Sequence, residues 1–134
     1  MYDDRPEIQA RLQHAVVAWL TTVNADGQPQ SSVVWFVAAD DAIVVYSKDR
    51  TPRLRNIRAN PRVCFNLNSD PDGDDPVIVE GEAEIIGSAV PPSAHAGYAA
   101  KYAPHLSHWD FTWESYDPGF PVRIHIRPTR LRQA

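Results

Sequence analysis

Residues 46–63 read YSKDRTPRLRNIRANPRV, and the organisation of the chain follows from how this stretch divides. Tyr46 and Ser47 close an apolar run, AIVVYS (42–47), with the β-branched composition of a strand. Thr51 suits a helix N-cap, and Pro52 suits the first helical position, where its missing N–H costs nothing. Leu54 and Ile57 give that helix one apolar face. Asn60-Pro61 stops it, and RVCFNLN (62–68) resumes as a strand. The stretch also holds Lys48, Arg50, Arg53, Arg55, Arg58 and Arg62, six of thirteen Lys and Arg residues, against one acid, Asp49. The chain as a whole carries a formal charge of −4, so this concentration of positive charge needs a cause.

Outward from this unit, turns and alternating patterns recur. PEIQARLQHA (6–15) opens on Pro6, with Ile8 and Leu12 at helical spacing. AVVAWLTTV (15–23) is a strand bounded by the turn NADG (24–27). QSSVVWFVA (30–38) reads as the returning strand, and ADD (39–41) turns the chain into AIVVYS, giving a three-stranded meander. SDPDGDDP (69–76) is an acidic loop, VIVEGEAEII (77–86) alternates as a half-buried strand, and SAHAGYAAKYA (93–103) is helical after Pro91-Pro92. FPVRIHIRP (120–128) alternates again. The order predicts a mainly β fold, an antiparallel barrel, closed or nearly so, with flanking helices.

At 134 residues, with 43% hydrophobic and 22% charged residues, the expectation is one soluble globular domain, residues 1–134. No apolar run has membrane-spanning length, and the N-terminus lacks a signal-peptide layout. One cysteine, Cys64, excludes an intrachain disulfide and a cysteine-based zinc site. These features predict a cytoplasmic protein with no membrane partner, and the acidic balance argues against nucleic acid as the main partner.

The junction at Ser47–Arg53 is where an anion would be held. A helix N-terminus there presents free N–H groups and its positive dipole end, beside the hydroxyls of Ser47 and Thr51 and the charges of Lys48, Arg50 and Arg53. A solvated helix face paired with the 70–76 acids is the competing reading. His105, His108 and Asp110 lack an obvious third ligand and shell for a metal, so none is expected. Cys64, inside an apolar strand, reads as a buried inert thiol, and Ser31 and Ser32 have no evident base. Trp109, Phe111, Trp113 and Tyr116 crowd eight positions, as core, a dimer interface or a pocket wall.

Taken in order, WLTTVNADGQPQSSVVWF, the stretch 46–63 with VCFNL behind it, and VEGEAEII resemble the pyridoxamine 5'-phosphate oxidase-like split-barrel proteins that bind flavin or deazaflavin. The resemblance spans about residues 8–131. It implies a flavin-reductase-like split barrel and a homodimer whose cofactor sites are built by both chains. It is greatest to the actinobacterial branch that uses the deazaflavin coenzyme F420, with FMN the alternative cofactor. Carried over by position, Ser47, Lys48, Thr51, Arg53 and Asn56 would hold the phosphate and its flanking groups. Arg50 and Arg55 would serve the rest of an anionic tail. Gln30, Ser31, Val33, Val34 and Trp35 would lie along the ring system. Pro52-Arg53 stands where FMN oxidases of the family carry an Arg-Lys pair, which favours the deazaflavin. The implied activity is hydride transfer to a small organic acceptor. The rivals are an FMN-dependent reductase or oxidase, a non-catalytic flavin carrier, and a small nucleic-acid-binding barrel. The sequence singles out no general acid; Tyr46, His108 and Tyr116 are the candidates.

Overall fold

The computed structural model describes residues 5–39 and 41–132. Its strands are β1 (Ala18–Val23), β2 (Pro29–Val34), β3 (Phe36–Ala39), β4 (Ala42–Ser47), β5 (Arg62–Leu67), β6 (Ile78–Ile86) and β7 (Val122–Arg132). Helix α1 is Pro6–His14, α2 is Pro52–Ala59, α3 is Ala96–Tyr102 and α4 is Trp113–Gly119, with 3-10 turns at Pro92–Ala94 and Ala103–Trp109. Among the described residues, no helix is long and apolar enough to cross a membrane.

All seven strands form one antiparallel sheet in the order β2-β1-β5-β6-β7-β4-β3. The run expected as one strand over 30–38 is two. Val34 pairs with Ala18, whereas Phe36 pairs with Val45, at the opposite end of the sheet. Only Trp35 separates them, so the sheet's two ends lie within about 7 Å along the chain. The sheet must therefore curl on itself, and the result is a split barrel. The Asn24–Gly27 turn joining β1 to β2 is locally encoded: Asn24 Oδ1 accepts from Asp26 N and Gln28 N, and Gly27 supplies φ 85°. The turn expected at 39–41 includes Asp40, which lies outside the described residues.

Alternate residues fill the barrel: Leu20, Phe36, Ile43, Val45, Phe65, Val79, Ile124 and Ile126 are buried in one cluster. Helices α1, through Ile8 and Leu12, and α2, through Leu54 and Ile57, close onto it. A second cluster lies on the outer face of β4, where Val44 and Tyr46 meet Tyr98, Tyr102, Leu106 and Tyr116. Burial on both faces explains why 42–47 reads as an unbroken apolar run. The aromatic segment at 107–116 and the helix expected at 93–103 together form two α-helices and two 3-10 turns that cover this face.

The ends of the curl are pinned by Tyr102. Phe36 N–H donates to its hydroxyl oxygen (2.8 Å), while that hydroxyl lies 2.6 Å from Val16 O and 2.9 Å from Phe36 O. Lys101 Nζ donates to Phe36 O (2.9 Å) and sits 3.7 Å from the Phe36 ring centre. Tyr102→Phe removes the hydroxyl that accepts from the buried Phe36 N–H, and is expected to lower unfolding free energy by about 1–3 kcal/mol. Urea denaturation would check this; a change below about 0.5 kcal/mol would mean the hydroxyl does not secure the closure.

Candidate functional site

Where β4 runs into α2, the chain leaves a helix end with nothing to neutralise it. Thr51, at the N-cap, makes no side-chain cap hydrogen bond, and the first turn of α2 contains no acid. Pro52 brings no N–H and Leu54 N–H donates to Thr51 O (3.1 Å), but no acid balances the positive end of the dipole. No ion pair among the described residues involves Lys48, Arg50, Arg53, Arg55, Arg58 or Arg62. The 70–76 acids, the partners of those arginines in the competing reading, are met by Arg11 of α1, which contacts Asp75 and donates to Asn68 O (2.8 Å). Arg53 is partly buried, and burial lowers its guanidinium from the ordinary arginine value. A partly desolvated, unpaired guanidinium at a bare helix N-terminus is suited to an anion.

This corner opens into a cavity of about 420 Å³. Lys48, Thr51 and Arg53 form its polar end, and Val33, Val34 and Trp35 of the β2–β3 crossing form one wall. Tyr46, Trp109, Phe111, Tyr116 and Phe120 complete the lining. Trp35 does not lie loose in the cavity. Its indole stacks on Tyr102 at 4.4 Å and on Tyr116 at 5.5 Å, with interplanar angles of 6° and 18°. A smaller cavity of about 250 Å³ adjoins, also lined by Thr51 and Arg53, with Thr22, Gln30, Ser31 and Asn56.

Ten of the sequence-expected site residues are thus gathered around two connected hollows or at their margin, and their roles differ. Val33, Val34, Trp35, Lys48, Thr51 and Arg53 line the larger; Gln30, Ser31 and Asn56 line the smaller. Ser47 is fully buried beneath the turn, its hydroxyl donating to Lys48 O (2.9 Å) and lying 3.5 Å from Thr51 Oγ1. Arg50 and Arg55 are exposed and line neither hollow; Arg50, at φ 59°, has its N–H bound to Asp49 Oδ1. Val17 and Phe120 are lining residues that carried no signal in the sequence, since only folding brings them to this edge.

Of the candidate acids, Tyr46 and Tyr116 line the cavity and His108 does not. Tyr46 donates to Val90 O (3.0 Å), and Tyr116 Oη lies 2.7 Å from Tyr98 Oη. Burial raises Tyr46 and pushes Tyr116 up to about 12, so both hydroxyls stay protonated near neutral pH. Cys64 is half-buried rather than enclosed, because its side of β5 faces out of the barrel; burial still pushes its thiol up. Among the described residues, the acids, histidines and cysteines that gather in a group of three close enough to share an ion are Asp70, Asp72 and Asp74 of the acidic loop; His105, His108 and Asp110 form no such group.

A family model described as pyridoxamine 5'-phosphate oxidase matches residues 5–133. No curated protein matches the sequence. Among solved structures, a protein titled F420 reductase is similar at 25% identity and TM-score 0.74, over 94% of this chain and 96% of that one. A conserved hypothetical protein from Mycobacterium tuberculosis is 25% identical, with TM-score 0.71 over 97% of this chain and 83% of its own. The heme storage protein HutZ from Vibrio cholerae shares the fold at 18% identity and TM-score 0.69, over 96% of this chain and 93% of its own.

The buried link between α2 and the barrel is itself testable. Asn56 Nδ2 donates to Thr22 Oγ1 and Gln30 Oε1, each at 2.9 Å, and both Asn56 and Thr22 are buried. Asn56→Ala strands the Thr22 hydroxyl and is expected to cost about 1–3 kcal/mol of stability with no ligand added. Thermal or urea melting of the variant measures it; an unchanged midpoint would deny Asn56 this structural role.

Proposed function

Because the chain belongs to the pyridoxamine 5'-phosphate oxidase family, we propose that its cavity seats a flavin-type cofactor, the deazaflavin coenzyme F420, and that the protein is an oxidoreductase acting on a small organic acceptor. The observation that carries this reading is the unpaired cationic corner at the bare N-terminus of α2, opening directly into an aromatic-walled cavity. One end suits a phosphate and the other a flat ring system.

The bound cofactor supplies hydride-transfer chemistry, and the chain supplies binding, orientation and shielding from water. Lys48, Arg53 and the Thr51 hydroxyl hold the phosphate. Val33, Val34 and Trp35 form the edge along which the rings lie, and stacking on Tyr102 and Tyr116 fixes the Trp35 indole in place. FMN is the alternative on the same fold. The deazaflavin is favoured because Arg50, Arg55 and Arg58 extend exposed, unpaired positive charge beyond the corner. A tail with carboxylates beyond its phosphate uses that charge, whereas FMN ends at one phosphate. The similarity to an F420 reductase supports the same choice.

Titration with F420 and FMN tests the reading. F420 is expected to bind more tightly, with the difference shrinking at high salt. Arg53→Ala should weaken either cofactor by about 1.5–3 kcal/mol, the range for a hydrogen bond to a charged group. Arg50→Gln with Arg55→Gln should remove much of the F420 advantage and leave FMN affinity nearly unchanged. Tighter binding of FMN, or its stoichiometric co-purification, would replace F420 by FMN.

The functional unit in this reading is a homodimer. Trp19 and Val33, directly opposite on β1 and β2, are 39% and 47% exposed, an apolar pair on the outer sheet face. Of Trp109, Phe111 and Trp113, considered from sequence for such an interface, Phe111 and Trp113 pack against their own chain's Tyr116, whereas Trp109 is 64% exposed and stays a candidate beside Trp19 and Val33. Light scattering at micromolar concentration should give twice the chain mass; a monomer binding cofactor at full affinity would refute the two-chain site.

A further inference from the structure

Between the end of α1, strand β3 and α3 lies a third hollow, of about 680 Å³, which shares no lining residue with the cavity assigned to the cofactor. Leu12, Val16, Val37, Ala38 and Ala100 give it an aliphatic surface. Its polar groups are the Gln9 and Gln13 amides, His14, His105 and Lys101, and none of the described lining residues is acidic. His105 packs edge-on to Trp35 at 6.4 Å and to Tyr102 at 6.0 Å, so the rings of the seam hold it in place.

Lys101 is a cation with no carboxylate paired to it among the described residues. Its Nζ donates to Phe36 O (2.9 Å), reaches Leu12 O at 3.4 Å, and lies 3.7 Å from the Phe36 ring centre. Carbonyls and a ring face solvate a positive charge without neutralising it. Leu12 O belongs to the last turn of α1, whose dipole offers only a partial negative charge. Burial pushes the ammonium down to about 8, the direction of a desolvation that no counter-charge offsets. An anion entering the hollow supplies that counter-charge. The aliphatic lining favours one that carries an apolar body over a small, strongly hydrated ion.

We infer that this hollow is a second ligand site, for a small aliphatic carboxylate whose charge meets Lys101 and whose body lies against α1, β3 and α3. The inference does not rest on the cofactor reading. The titratable groups that share the lining with Lys101 are His14 of α1 and His105 of the Ala103–Trp109 turn; β3 brings Val37 and Ala38, and α3 brings Gly97 and Ala100.

Calorimetric titration with 4-methylpentanoate, 4-methylpentan-1-ol and 4-methylpentylammonium, one skeleton in three charge states, tests this. The carboxylate is expected to bind at least about tenfold more tightly than the other two. Its affinity should fall about tenfold or more between about pH 7 and pH 9.5, because the carboxylate stays ionised while Lys101 loses its proton. Adding saturating F420 or FMN should leave that affinity within about threefold of its value for the protein alone. Lys101→Met keeps an apolar stem without the charge and should weaken binding by about tenfold or more. Because Lys101 also serves the seam, Gly97→Leu is the second variant. A Cβ at Gly97 meets only ordinary contacts, at 3.5 Å or more, so a longer side chain there occupies the hollow and leaves the lysine in place. It should weaken carboxylate binding by about tenfold or more in a protein that melts no lower than the unmodified chain. Equal binding of the alcohol or the ammonium, a flat pH profile, or displacement of the carboxylate by either cofactor would each overturn the inference. So would full-strength binding to a folded Gly97→Leu or Lys101→Met protein.

Discussion

One change of neighbours at Trp35 governs this molecule. Val34 is hydrogen-bonded into one end of the sheet and Phe36 into the other, so a single residue spans the seam of the barrel. A seam of this kind leaves backbone groups that no strand ladder can satisfy, and buried N–H and C=O groups are costly without partners. Side chains from the end of α3 supply them: the Tyr102 hydroxyl and the Lys101 ammonium meet Phe36 N and O and Val16 O. The ammonium is partly buried for this purpose, which pushes it down to about 8 from the ordinary lysine value. The helical covering of the outer face is thus part of how the barrel closes.

The same residue connects the seam to the site. Trp35 turns outward at the crossing, and its indole becomes the middle of the stack that walls the cavity. Fold closure and cavity shape are therefore set by one set of contacts. Against this rigid aromatic side stands the cationic corner, where the chain forgoes stability. It has no acid in the first turn of α2, no capping side chain, a partly buried guanidinium and no neutralising partner. Each departure is locally unfavourable, and departures from local consistency concentrate where function demands them.

Much of the architecture was legible in the sequence, because its signals are local. The Asn24–Gly27 turn, the Thr51-Pro52 helix start, the Asn60-Pro61 stop and the alternation in 77–86 and 120–128 each depend on nearby residues alone. The cationic corner was legible for the same reason, since a helix N-terminus and its flanking cations are contiguous in the chain. The order of these units predicted a mainly β barrel with flanking helices, and the family resemblance of their motifs implied the split form that the sheet adopts.

What the chain alone could not reveal was decided by contacts far apart in sequence. QSSVVWFVA reads as one strand because alternation carries no information about which neighbour each residue pairs with; only closure of the sheet breaks it at Trp35. Cys64 reads as buried because its strand is apolar, but which face of β5 points outward depends on register with β1 and β6. Asn56 carries a polar amide of no assigned direction until α2 docks and presents it to Thr22 and Gln30, 34 and 26 residues away. The sequence by itself thus determined the elements, their order and the place where charge collects. Tertiary structure decided which aromatic rings face that charge and which arginines line the hollow, because both depend on how a curled sheet brings distant segments to one edge.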